Sequence, residues 1–259
     1  MKIIVCLKQV PEEEDIRFDS KGNLIRENIK LATNIYDEYA LENALLIKDK
    51  TQSEVITLTM GPPQSEELIK YSISKGADNG FIITDPNLKG SDAFITSKIL
   101  SLGIKKIISD DDFIVFCGLK SSDGETSVVP SEIASNLQIP SLTSAKTVEI
   151  NNNDSIIVKK ENSSEKMEIE IKKPCVISFD VSAILLRIIS IKNRLKSKNF
   201  KPVIFSLRDF DIENFDGLKE SPTEVIDLKE LKTEQTRNTK TLNINDENEL
   251  SEIKKVIYE

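Results

Sequence analysis

The residues best suited to chemistry lie between Gly118 and Pro130, where the chain reads GLKSSDGETSVVP directly after an apolar, β-branched run and directly before a helical pattern. Gly118 and Gly124 relieve backbone crowding, and Ser121, Ser122, Thr126 and Ser127 supply hydroxyls. A helix start adds free N–H groups and the positive end of a dipole, so such a loop can hold a pyrophosphate without a basic side chain. A purely structural reading stands beside this one. Asp123-Gly124 is also the signature of a turn closed by an Asx hydrogen bond. Thr126 or Ser127 also serves as an ordinary helix N-cap.

Other candidates are scattered. Lys8, after the first apolar run, can meet a phosphate or end a strand in solvent. Asp37 and Glu38 sit where a helix begins and complement its dipole. Arg187 can ion-pair, stack on a flavin or lie along the surface. Lys192, Arg194, Lys196, Lys198 and Lys201 form a basic run in an acidic chain, either a solvated helix face or a docking surface for an acidic redox partner. The chain has no histidine, which excludes His-based triads, bases and metal sites. Cys6, Cys117 and Cys175 are far apart, each in an apolar run, and read as three buried thiols rather than a disulfide framework or metal cluster. There is no G-x-G-x-x-G, Walker loop or nucleophile elbow, and no catalytic or metal-binding set is assigned.

The elements that must position these residues follow from periodicity. Apolar, β-branched runs at 2–7, 54–60, 80–84 and 113–117 read as strands buried on both faces. Between them, residues 34–50, 66–75 and 91–106 carry helical spacing, with Asn34 and Ser91 as N-caps and Gly76 as a C-terminal stop. A further helix is expected at 131–137. The alternation predicts a doubly wound parallel sheet covered on both faces. The pattern then changes. Residues 148–150, 156–160 and 167–171 read as antiparallel strands, with a hairpin turn at 162–164, and 174–181 as another buried strand. A basic amphipathic helix follows at 190–201. Residues 12–30 hint at a small hairpin, turning at 21–23. Beyond about 215 the chain is too polar for its own core and reads as an arm with a terminal helix near 247–258.

Composition narrows the class. The chain has 259 residues, a net charge of −8 and 39% apolar residues, enough for one large domain with appendages. An acidic surface repels phosphate backbones, so nucleic acid is a poor partner. No apolar run reaches the ~20 residues that span a bilayer. The short apolar start lacks a small-residue cleavage site, so the expected location is the cytoplasm.

Several ordered segments together are more specific than any one of them. KIIVCLKQVP, NIYDEYALENALLIKD, LTMGPPQSEELIKYSISKGAD and GLKSSDGETSVVPSEIASNLQIP match, in order, the opening strand, the Asn-Pro-x-Asp helix start, the Met-Gly-Pro turn and the Asp-Gly-Asp-Thr-Gly-Gln-Val loop of one family. The sequence resembles the beta (small) subunit of electron-transfer flavoproteins over about residues 1–205. The resemblance implies an adenine-nucleotide-hydrolase-like α/β fold with an added antiparallel hairpin. Residues 1–205 would form the nucleotide-binding domain and 206–259 a C-terminal arm wrapping the partner subunit. It implies AMP or FAD as cofactor and a heterodimer with an alpha subunit carrying the electron-transferring FAD. A flavin-dependent dehydrogenase would dock between Arg187 and Lys201. Adenosine contacts would fall at Cys6, Asn34, Ile35, Tyr36, Asp37 and Met60. Phosphate contacts would fall at Asp123, Gly124, Glu125, Thr126, Ser127, Val128 and Val129, largely through backbone N–H groups. The sequence departs from the family where Ser127-Val128 replaces Gly-Gln, where Asn34-Ile35 replaces Asn-Pro, and where Leu186-Arg187-Ile188-Ile189-Ser190 replaces Pro-Arg-Tyr-Pro-Ser. Two other readings remain: an AMP- or ATP-sensing module of the same fold, and a structural subunit whose ligand site has decayed.

Overall fold

The computed structural model describes residues 1–12, 30–108, 112–152, 154–162 and 164–223. The expected hairpin inside 12–30 and the terminal helix at 247–258 lie outside the described residues. The chain divides into two compact units, Met1–Ile226 and Asp227–Glu259, and only the first is described below.

A nine-stranded sheet forms the centre. Its strands are β1 (Lys2–Cys6), β4 (Glu54–Met60), β5 (Asn79–Ile83), β6 (Phe113–Gly118), β7 (Ser141–Ile150), β8 (Ser155–Glu161), β9 (Lys166–Lys172), β10 (Cys175–Phe179) and β11 (Val203–Phe205). Their spatial order is β11-β5-β4-β1-β6-β10-β7-β8-β9. The seven strands from β11 to β7 pair in parallel, and β7, β8 and β9 pair antiparallel. A separate two-stranded pair, β2 (Gln9–Pro11) and β3 (Leu31–Thr33), is closed by the Glu12 N–H donating to the Lys30 carbonyl.

The central strands are apolar on both faces because helices cover both. On one face, Ile3, Val5 and Leu7 pack with Phe116, Ile177 and Phe179 under α1 (Ile35–Lys50) and α2 (Glu66–Lys75). On the other, Ile4, Cys6, Leu58, Val115, Cys117 and Val176 pack under α3 (Ala93–Ile107) and α4 (Val129–Leu137). Gly76 ends α2 at φ 130°, a conformation side chains resist, as the sequence predicts.

Two expectations are corrected and one strand is added. The cap of α3 is Asp92, whose carboxylate accepts the Ile95 N–H at 3.0 Å; Ser91 instead donates to the Leu88 carbonyl. Strand β7 begins at Ser141, not 148. Its first half joins β10 in parallel before its second half turns to β8, so the hairpin is a continuation of the main sheet. Strand β11 has no counterpart in the sequence pattern, because three residues after a proline carry no readable period. Residues 206–223 pack on the body, with Leu207, Phe210, Ile212 and Phe215 against the α3/α4 core. Helix α5 (Ile191–Lys198) lies against α2 and is capped by Ser190, and α6 (Gly217–Glu220) is a single turn.

Candidate functional site

Helix α1 carries the chain from β1 to β4 on one side, while α3 leads from β5 across β4 and β1 to β6 on the other. The order therefore reverses between β1 and β6, and the crevice beyond their carboxyl ends is where an open α/β sheet binds ligands. The loops that follow these two strands hold Lys8 and residues 119–128.

Asp37, in the first turn of α1, staples the two strand ends together. Its Oδ2 accepts the Lys8 N–H at 2.6 Å and its Oδ1 accepts the Gly118 N–H at 3.0 Å. Burial pushes its carboxyl up to about 7, against the lowering pull of the Lys8 N–H, the Asn34 side chain, the Gly118 N–H and the Lys8 charge. This explains Gly118. A Cβ there would overlap Asp37 Oδ1 and stand 2.8 Å from the Tyr36 Cβ and 2.9 Å from the Asp37 nitrogen. The dipole-complementing reading of Asp37 is thus incomplete: the residue mainly fixes the width of the crevice.

Asn34 takes the N-cap position of α1 but its side chain caps nothing. Its Nδ2 donates instead to the Lys120 carbonyl at 2.8 Å, tying α1 to the loop, and its buried Oδ1 has no partner. A buried acceptor without a donor is costly, and a ligand N–H or O–H would satisfy it.

The loop itself is braced at its near end. Lys8 Nζ reaches Asp123 Oδ1 at 2.6 Å and the Ser121 hydroxyl at 3.1 Å. Burial raises Asp123, but the Lys8 hydrogen bond and charge, with Ser121, outweigh it and hold the carboxyl below its ordinary value. The Gly124 and Glu125 N–H groups donate to the Ser121 carbonyl, so a turn forms at Asp123-Gly124, closed by the main chain rather than by the expected Asx hydrogen bond, since the Asp123 carboxylate accepts from Lys8. Lys120 pairs with Glu125 at 2.6 Å and lies over the Tyr36 ring. Farther on, the loop opens. Glu125 and Ser127 sit at φ 51° and 58°, the left-handed region, and Ser127 is where the family pattern has glycine.

The helix starts earlier than expected, at Val129 rather than residue 131, and its N-cap is Val128, not Thr126 or Ser127; Val128 offers no capping side chain. Among the described residues, the N–H groups of Thr126, Ser127 and Val128 have no hydrogen-bond acceptor. These exposed donors precede a helix N-terminus that no side chain caps, an arrangement suited to an anion.

Cys6 ends β1 and Met60 ends β4, both on the α3/α4 face. Cys117 stands beside Cys6, one step past the Val5–Phe116 register pair; its hydrogen bond with Cys6, then burial, drives its thiol well above the ordinary range. All three thiols are free and buried. Ile35, 45% exposed, and Val128, 41% exposed, leave apolar side chains open to solvent near this end of the sheet. The sequence-selected residues Cys6, Asn34–Asp37, Met60 and 123–129 thus meet at one end of the sheet. Lys120 and Gly118 join them as residues whose partners no sequence pattern reveals.

Arg187 lies elsewhere. Its guanidinium pairs with Glu42 at 3.0 Å and with Asp49 at 2.9 Å, so the ion-pair reading holds. Around it, Leu185, Ile188, Ile191 and Leu195 are 91%, 94%, 82% and 63% exposed, beside the solvent-facing Lys192, Arg194, Lys196 and Lys198. Among the described residues, no cluster of three His, Cys, Asp or Glu could hold a metal, and no helix is long and apolar enough to cross a membrane.

Fold and crevice together define a doubly wound α/β module with a crevice at the switch point of its sheet. Residues 22–199 match the electron transfer flavoprotein domain family. The chain is 35% identical to the electron transfer flavoprotein subunit beta of Clostridium acetobutylicum, covering 87% of this chain and 86% of the relative. It is 33% identical, over the same shares, to the CarD subunit of the caffeyl-CoA reductase-Etf complex of Acetobacterium woodii. It is 34% identical to the FixA protein of Azorhizobium caulinodans, over 86% and 82%. This chain belongs to the electron transfer flavoprotein family, as an electron-transfer subunit of the beta type.

Proposed function

We propose that the chain binds an adenine nucleotide, AMP or the adenylate half of FAD, at the β1/β6 switch point, and relays electrons as a heterodimer with an alpha subunit. The observation that carries this reading is the buried, unpartnered Asn34 Oδ1 beside a loop whose Thr126, Ser127 and Val128 N–H groups are free. These groups fit the nucleotide. The N–H groups and the α4 start would take its phosphates, Asn34 would accept from its adenosine half, and Cys6, Tyr36 and Met60 would line that half. A flavin, when bound, supplies the one- and two-electron chemistry. The chain's own residues position it: Asp37 and Gly118 set the crevice width, and Lys8 and Lys120 brace the loop.

The flavin dehydrogenase docks at the apolar surface of Leu185, Ile188, Ile191 and Leu195. Such exposed apolar side chains within a charged rim have the anatomy of an interface. A cytoplasmic location accords with three free thiols. To test the reading, the chain is co-expressed with its neighbouring large subunit, the complex denatured, and the released nucleotides separated and counted. One adenine nucleotide beyond that of the large subunit is expected; none would sink the claim. Two FAD per heterodimer would identify the ligand as FAD, and one FAD plus one AMP as AMP.

A further inference from the structure

The segment 180–190 between β10 and α5 has no helix or strand of its own, yet it displays the exposed Leu185 and Ile188. What holds it is a charged anchor reaching from two helices. Arg187 is gripped by its main chain on both sides. Its N–H donates to Glu42 Oε2 at 3.0 Å, and its carbonyl accepts from Lys75 Nζ at 2.8 Å. Its guanidinium Nε also meets both oxygens of Glu42, at 3.0 and 3.2 Å, and an Nη meets Asp49. Glu42 and Lys75 are both buried, and Lys75 is further set by Glu38 at 3.9 Å and the Tyr71 ring. Towards β10, the body holds this segment through the Asp180 N–H, which donates to the Ala145 carbonyl at 3.0 Å, and through Lys146 Nζ, which donates to Asp180 Oδ2 at 2.9 Å and to the Val181 carbonyl at 2.6 Å.

Two buried ionic side chains that converge on one residue of a segment without helix or strand, Glu42 on its N–H and guanidinium and Lys75 on its carbonyl, are poorly explained by stability. A buried ionic network adds little over apolar packing, and its best-attested use is to specify one arrangement. Here the arrangement specified is that of the residues flanking Arg187. With the anchor made, Leu185 and Ile188 stand outward together, next to Ile191 and Leu195 of α5. Without it, the ordering of this segment would fall to the moment of association, at the expense of affinity.

We propose that Glu42 and Lys75 are positioning residues for partner docking, acting through the Arg187 main chain to hold residues 184–191 as a pre-ordered apolar surface. This rests on the reading that the dehydrogenase docks there, and the experiment separates the two. Four variants are made in the complex with the large subunit: Glu42→Met, Lys75→Met, Lys75→Arg and Ile188→Ser. Two readouts are taken: amide hydrogen exchange at 184–191, and steady-state electron transfer from an acyl-CoA dehydrogenase of the same host, reduced by its acyl-CoA. Glu42→Met, which removes the acceptor for the Arg187 N–H, and Lys75→Met should each speed exchange at 184–191 by tenfold or more, with little change elsewhere. They should raise KM for the dehydrogenase about tenfold with kcat and nucleotide content unchanged. Lys75→Arg, which keeps a donor for the Arg187 carbonyl, should recover most of both. Unchanged exchange, or faster exchange with an unchanged KM, overturns the positioning role. Ile188→Ser should raise KM without altering exchange; if it leaves KM unchanged, the docking reading fails while the exchange data still report on the anchor.

Discussion

Replacing Gly118 by alanine adds a single methyl where the switch point has no room for one. The new Cβ would overlap Asp37 Oδ1 and press on the Tyr36 Cβ and the Asp37 nitrogen, two of these three being backbone or backbone-proximal atoms that no rotamer change can move. Overpacking of this kind costs about 1–3 kcal/mol. Relief requires α1 to retreat, which stretches the hydrogen bonds from Lys8 and Gly118 to the Asp37 carboxylate, each worth roughly 1.5–3 kcal/mol when the acceptor is charged. The two routes compete, so the cheaper sets the loss, at about 1–3 kcal/mol. For a domain of this size that lowers Tm by roughly 2–12 °C. The internal control is Gly124→Ala, in the same loop. Its Cβ would meet only the Ser121 Oγ, at 3.4 Å, and its effect should stay within ~0.5 kcal/mol. Urea melts of both variants, with nucleotide content of the heterodimer measured alongside, decide the matter. Gly118→Ala should also lose nucleotide, because the crevice walls must part. If Gly118→Ala unfolds within 0.5 kcal/mol of the wild type, the stapled-crevice account is wrong.

Asp37 titrates near 7 when folded and near 3.8 when unfolded, so the folded state binds the extra proton between these values. Its contribution is full below about pH 4 and is lost as pH rises through 7, roughly 4 kcal/mol at ~1.4 kcal/mol per pH unit; Asp37→Asn should flatten that slope in urea melts run from pH 4.5 to 8. Ser127→Gly removes a left-handed side chain at φ 58° and should leave stability unchanged or raise it by up to ~1 kcal/mol, whereas Ser127→Val, β-branched, should lose about 1–2 kcal/mol by the same melts. Asp92→Ala uncaps α3 and frees the Thr223 N–H and hydroxyl that Asp92 accepts at 3.1 and 2.6 Å, a loss of about 1–2 kcal/mol in thermal unfolding. Ser91→Ala, by contrast, should fall within ~0.5 kcal/mol.

The central strands and the helices between them were readable because their signal is local. EVITLTM and FIVFC are buried on both faces, and runs that apolar and that short have few alternatives. Residues 66–75 carry both their period and their stopping glycine. Failures came where two neighbouring residues compete for one role, as Ser91 and Asp92 do for the α3 cap. Others came where a strand serves two partners, as β7 does, and where a three-residue edge strand has no period at all. In the site, the polar loop was legible as a loop. The staple was not, because nothing within a few residues of Asp37 signals that Lys8 and Gly118 will converge on it.

What the sequence determined by itself is the class of the protein: the β/α alternation, the buried thiols, the absence of histidine chemistry and a run of ordered motifs that belong to one family. Each of these is a property of residue types and their spacing along the chain. The tertiary structure alone decided which polar residues meet. Asp37 holds two strand ends 29 and 81 positions away, Asn34 reaches Lys120, and Glu42 grips the main chain of Arg187, 145 positions on. Such pairings follow from strand order and helix side rather than from local preference. A buried carboxylate takes whichever backbone N–H groups the sheet brings to it, and that choice is made only when the sheet closes.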